Sequence, residues 1–137
     1  MVGLFALAQA VPYGRAHTNP PVVQEPRWDS PRTRALAVRA CFDCHSNETK
    51  WRWYSNIAPA SWLVQRDVDS GRSTLNFSEW NRPQEAGDAV EAVRGGGMPP
   101  WYYVILHAHA KLSASEKDAL ARGLQATFAA SPPKGGG

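Results

Sequence analysis

Cys41-Phe42-Asp43-Cys44-His45 is the stretch on which the reading of this 137-residue chain turns. The pattern C-x-x-C-H is the attachment sequence of a c-type haem. Two thiols three positions apart form thioethers with the two vinyl groups of one porphyrin, and the adjacent imidazole is then held under the iron as its proximal ligand. Cys41 and Cys44 are also the only cysteines, so no thiol is left for a disulfide framework or a four-cysteine metal site. Two blander readings share the spacing: a thioredoxin-like dithiol, which belongs on a βαβ pattern absent here, and half of a zinc site.

Length and charge bound the rest. A chain of this size makes one domain with a modest core, which a porphyrin would enlarge. The formal charge of +3 comes from 15 basic and 12 acidic side chains, and the basic residues are scattered rather than striped, which argues against a nucleic-acid partner. Six tryptophans are many for this length, and only one helix is well supported by periodicity, so the chain is expected to lean on its cofactor for order.

Residues 2–11 form an apolar run with no basic residue before it, and Ala8-Gln9-Ala10 resembles a signal-peptidase site. Ten residues are too few to span a bilayer. Because a C-x-x-C-H motif implies export, residues 1–11 read as the remnant of a signal or membrane anchor; the alternative is a buried first segment of the domain. Residues 12–31 contain Pro12, Pro20, Pro21, Pro26 and Pro31 and predict an extended arm, since each proline removes an amide donor and biases its predecessor away from the helix.

The domain proper is expected over residues 32–130. Residues 32–40 suit a short helix leading into the motif. Residues 51–59 are too aromatic and proline-interrupted to assign. A helix is expected over residues 61–70 with Gly71 as its stop, and another over 83–93, ended by Gly95-Gly96-Gly97. The clearest helix is the last: Ser113-Ala114-Ser115-Glu116 is a capping box, and Leu120, Leu124 and Phe128 follow on one face. Pro132 and Pro133 end it, and residues 131–137 read as a disordered tail.

The second chemical signal is Gly97-Met98-Pro99-Pro100. A thioether sulfur is the usual sixth ligand of electron-transfer cytochromes, Met98 is the only internal methionine, and the flanking glycines and prolines would let the backbone approach a porphyrin and then hold it. The metal ligands expected are therefore His45 and Met98, with His107, His109 and His17 as competitors, and with core filling as the plain alternative for the methionine. Trp53, Tyr54, Trp62, Phe77, Trp80 and Trp101 are candidates for a haem wall. Arg72 and Arg66, with the polar tips of Trp53 and Tyr54, are candidate propionate partners. Asn47 is a candidate for fixing the turn after His45.

These residues carry a resemblance. Cys41 to Trp51, the run Trp53-Tyr54-Ser55-Asn56-Ile57-Ala58-Pro59, Ser61-Trp62, Leu75-Asn76-Phe77-Ser78 with Trp80, Gly97-Met98-Pro99-Pro100 and His107 to Ser113 resemble the small bacterial haem-binding domain family related to class I cytochromes c, over roughly residues 11–124. The resemblance implies a mostly α, cytochrome c-like domain wrapped around one covalent haem c, exported and commonly behind an N-terminal membrane anchor. Ala108 stands where related sequences usually have proline.

The function expected is that of a monohaem electron carrier outside the cytoplasm, periplasmic and membrane-anchored, acting on redox partner proteins or a membrane complex and on no substrate. The rivals are a haem subunit of a larger respiratory or photosynthetic assembly, gripped by the proline-rich arm, and a peroxidatic or gas-sensing protein with an open sixth position.

Overall fold

The computed structural model describes residues 1–135, so residues 136–137 of the expected tail lie outside the described residues. The chain is mostly helical. Its α-helices are α1 (Val2–Ala8), α2 (Pro31–Ala40), α3 (Phe42–His45), α4 (Ala60–Thr74), α5 (Gly87–Arg94), α6 (Trp101–Leu106) and α7 (Ala114–Ala130), with 3-10 turns at Trp53–Asn56 and Ala108–Ala110.

Helix α2 begins where its sequence allows. Pro31 occupies the first turn, where a missing amide hydrogen costs nothing, and the Ser30 hydroxyl accepts from the Thr33 amide at 3.2 Å. The chain hardly breaks before α3, because the Cys41 amide still donates to the Ala37 carbonyl at 2.8 Å and the His45 amide to that of Cys41 at 2.9 Å. The motif thus rides on the end of a capped helix.

Helix α4 runs to Thr74, through the glycine that reads in sequence as its stop. Gly71 is there for space rather than for termination. It is buried against α3, and a Cβ at this position would collide with the Cys44 backbone carbonyl. Helix α5 starts at Gly87 rather than at Pro83. The Gln84 side chain accounts for the difference: its Oε1 accepts from the Asn76 amide at 2.6 Å and its Nε2 donates to the Glu79 carbonyl at 3.0 Å, which keeps the preceding loop extended. After α5 the chain reverses through Gly96, whose φ of +79° is open to glycine at little cost.

Leu36, Phe42, Phe77, Trp80, Val90, Leu120 and Leu124 form the core, where α7 packs on α2 and α5. Phe42, Phe77, Trp80 and Phe128 stack in sequence with Trp28 against them. Residues 15–29 follow this core without a helix, packing Trp28 on it and forming an isolated bridge between Gln24 and Glu79. The Val23 and Gln24 amides donate to the Ser78 carbonyl, and the Trp80 amide donates to Gln24. The segment therefore spends several of its backbone groups on its own domain. Of the residues read as a loose tail, Ser131 accepts the Trp80 indole N–H at 2.7 Å, and the Lys134 amide donates to the Trp80 carbonyl at 3.2 Å. Helix α1 is exposed from Val2 to Leu7 and is pinned at its end by Gln9, which donates to the Ala58 carbonyl at 2.9 Å and accepts the Ala58 amide at 3.0 Å.

Glu116 closes the expected capping box on Ser113 and also takes a bidentate contact from Arg39 at 2.6 and 3.0 Å. The Arg39 contact, helped by the Ser113 amide, holds its carboxyl at about 2, below the ordinary 4.5. A depressed carboxyl stabilises the fold above its unfolded value, and that contribution is lost as pH falls through about 2. In urea titrations, Glu116→Gln is expected to be less stable than the parent at pH 6, with the gap closing as pH approaches 2. Gly71→Ala is expected to cost about 1–3 kcal/mol despite the better helix propensity of alanine, because the obstacle is backbone and cannot rotate away. Gly87→Ala, where a Cβ meets nothing, is the control and is expected to be neutral or stabilising by the same measurement.

Candidate functional site

The close approach at Gly71 brings the last turn of α4 over the His45 ring. His45 Nδ1 lies 3.1 Å from the Gly71 carbonyl and 2.9 Å from that of Leu75. Two acceptors on one nitrogen make Nδ1 the protonated position and leave Nε2 with its lone pair. Burial, opposed only in part by these two carbonyls, pulls the His45 pKa below its usual value, so the ring is neutral at neutral pH. A neutral imidazole oriented through its other nitrogen is the form in which histidine binds a metal.

Cys41, Cys44, His45 and Met98 all line one cleft of about 220 Å³, closed by Gly71, Tyr102 and Tyr103. A second cavity of about 120 Å³ shares Cys41, His45, Thr74 and Met98 with it and extends to Phe77 and Leu124. Both cysteines are unbridged, and burial, joined by a nearby negative charge in each case, pushes their thiols up to about 12. That is opposite to the low values of reactive dithiols. Among the described residues, moreover, no three His, Cys, Asp or Glu side chains group as they would around a metal ion. The donor set, the fixed imidazole and the apolar cleft fit a haem.

The competitors of Met98 are engaged elsewhere. His107 is buried, with Nδ1 on the Tyr103 carbonyl at 2.8 Å and Nε2 hydrogen-bonded to the Tyr54 hydroxyl. His17 stacks on Trp51 and lies 2.9 Å from the Ser55 carbonyl through Nε2. His109 lines a separate polar hollow with Arg34 and Arg39.

The structure divides the other sequence candidates. Phe77 lines the second cavity but belongs to the core stack, as Trp80 does. Tyr54 lines an adjoining pocket with Asp43, Cys44 and His107. Trp53 and Trp101 are 75% and 74% exposed and line neither cavity. Trp62 is half-buried and lines neither as well. Arg72 is spent on the protein itself: it donates to Ser46 O, Thr18 O, Asn19 Oδ1 and Thr49 Oγ1 at 2.8–3.0 Å, which removes it as a propionate partner. Arg66 pairs with Asp67 at 3.0 Å on the surface. Asn47 does fix the chain after His45, through longer-range partners than a local turn: it donates to the Pro21 carbonyl and Glu79 and accepts from Asn76.

Sequence reasoning missed Asp43, Asp67, Tyr102 and Tyr103, all on the cleft wall. Their signal was faint. Asp43 sits at a variable position inside the motif, and the two tyrosines lie in a run with no helical amphipathicity.

Searches among curated proteins and among solved structures found no match. Among protein families, the one described as the haem-binding domain matches residues 3–126, nearly the whole of the described chain and every residue of the cleft. With a cleft whose donors suit that cofactor, the chain belongs to the haem-binding domain family and is a haem protein.

Proposed function

We propose that this chain is a cytochrome c-like monohaem electron carrier, with haem c bound covalently through Cys41 and Cys44 and with His45 and Met98 as axial ligands. The observation that carries the reading is that those four side chains, and none of the three competing histidines, line one cleft. Attachment is a simple addition: each thiol S–H adds across one vinyl group, forming one C–S bond without an external oxidant. The bound haem supplies a centre that takes up and gives back one electron.

The protein's own part is to hold that centre still and dry. The Gly71 and Leu75 carbonyls orient His45, and the cleft wall excludes water with the rings of Tyr102 and Tyr103. A methionine in the sixth position raises the potential and leaves no place for a small molecule, which favours a carrier over a peroxidase.

An extracytoplasmic site follows from covalent attachment. A membrane association is supported by the exposed apolar α1, although no helix among the described residues is long and apolar enough to cross a membrane. A redox partner protein is supported by Trp101, Ile105 and Leu106, 68–74% exposed beside the cleft. The assembly-gripping role of the proline-rich arm gains less support, since part of its backbone bonds to residues 78–80 of its own domain.

Two measurements test this. Mass spectrometry of denatured protein, made with a haem c maturation system, is expected to give the polypeptide plus one haem; haem extracted by acidic organic solvent would overturn covalent attachment. The oxidised protein is expected to show the weak long-wavelength band of a thioether–iron bond, and Met98→Ala to abolish it. A band that is absent while His107→Ala or His109→Ala alters the spectrum would make the iron bis-histidine. Ready binding of carbon monoxide or cyanide by the native protein would favour the open-site rival.

A further inference from the structure

Helix α6 is held in an unusual way for a segment that walls a cofactor cleft. None of its residues is buried, and among the helices and turns it packs only on the adjoining Ala108–Ala110 turn. Its attachments to the motif side of the cleft are two phenol hydroxyls. Tyr102 donates to Asp67 Oδ2 at 2.8 Å, and Tyr103 donates to Asp43 Oδ2 at 2.6 Å.

The acceptors sit at telling places. Asp43 stands between the two cysteines on α3, and Asp67 lies one turn before Gly71 on α4, whose carbonyl bonds His45. Both carboxylates are themselves braced: Asp43 by Arg52 at 2.7 Å and by the Lys50 amide at 3.0 Å, Asp67 by Arg66 at 3.0 Å. At one end α6 runs into buried His107, whose Nδ1 bonds the Tyr103 carbonyl. At the other it follows the glycine turn and Met98, whose amide donates to the Ala92 carbonyl at 3.1 Å. Met98 therefore lies on a strap between α5 and the two tyrosines.

We propose that Tyr102 and Tyr103 are the positioning residues of the sixth ligand: their hydroxyls latch α6 to α3, which carries Cys44 and His45, and to α4, whose Gly71 carbonyl orients that histidine, and so keep Met98 seated over the cleft. This rests on Met98 as axial ligand. The strap has no apolar anchor of its own, so the latches replace one. Burial, reinforced by the accepting carboxylates, raises both phenol pKa values, and the hydroxyls remain protonated donors across the working pH range. A hydrogen bond to a carboxylate is among the stronger ones a neutral group can make.

Haem-loaded Tyr102→Phe and Tyr103→Phe keep the rings that wall the cleft and lose only the latches. Each is expected to bind cyanide faster in the oxidised state, on the order of tenfold, and the double variant is expected to bind it faster still and to lose intensity in the thioether band. Tyr13→Phe, which removes an exposed hydroxyl with no hydrogen-bond partner among the described residues, serves as the control. A double-mutant cycle separates latch from general packing: Asp67→Ala combined with Tyr102→Phe is expected to be no worse than either alone. Asp67→Asn, which still offers an acceptor oxygen, is expected to retain most of the band. Far-ultraviolet circular dichroism checks that each variant is folded, and Tyr102→Phe, at the more exposed latch, serves if Tyr103→Phe is not. Unchanged cyanide rates and an unchanged band in both tyrosine variants would overturn the latch while leaving Met98 ligation intact. A parent protein without the band would instead remove the ligation itself, and the latch with it.

Discussion

The contact on which the site depends is the one between two backbones, α4 at Gly71 and α3 at Cys44. Because Gly71 has no side chain, the last turn of α4 comes close enough for the Gly71 and Leu75 carbonyls to reach His45 Nδ1. That single approach fixes the tautomer of the imidazole, turns the other nitrogen into the free donor and closes one wall of the cleft. A pair of hydrogen bonds to the peptide backbone is also hard to lose by drift of a side chain, since one carbonyl belongs to α4 and the other to Leu75, the residue that follows the helix.

Much of this was legible in the sequence and some was not, for identifiable reasons. The motif, Met98, the helix leading to the motif and the capped last helix are all local signals: spacing, caps and one apolar face decide them, and the structure has helices at Pro31–Ala40 and Ala114–Ala130. Gly71 shows the limit of such reasoning. A glycine after an apolar run reads as a helix stop, and only the neighbouring backbone reveals that it marks a close crossing inside the helix. Helix α6 escaped notice because its residues follow no amphipathic period, its ends carry no side-chain cap and it buries nothing. Arg72 illustrates a further gap: an arginine near a haem motif looks available until the carbonyls of Ser46 and Thr18 are seen to claim it.

The aromatic residues divide in a way composition alone does not announce. Trp28, Phe42, Phe77, Trp80 and Phe128 stack into a core that lies behind the motif, while the wall of the cleft in front of it is built from tyrosines whose hydroxyls find carboxylates. The division follows chemistry. Phenylalanine and the fully covered Trp80 suit a dry interior, whereas tyrosine offers an apolar ring with a polar end that needs a partner. Phe42 and Phe77 link the two regions, because Phe42 is inside the motif and the Phe77 amide donates to the His45 carbonyl at 2.8 Å.

The bonds between Trp80 and residues 131–134 join parts of the chain more than fifty positions apart, and the bond from the Arg27 amide to the Ser131 hydroxyl at 3.1 Å joins parts 104 positions apart. A chain threaded out from its N-terminus presents Cys41, Cys44 and His45 long before α7 arrives to seal the stack behind them. Until then Phe42, Phe77 and Trp80 have no lid, and such distant closures are the slow ones to form. Order of emergence thus gives the two thiols an interval in which they are reachable, and the arrival of α7 and residues 131–134 ends it.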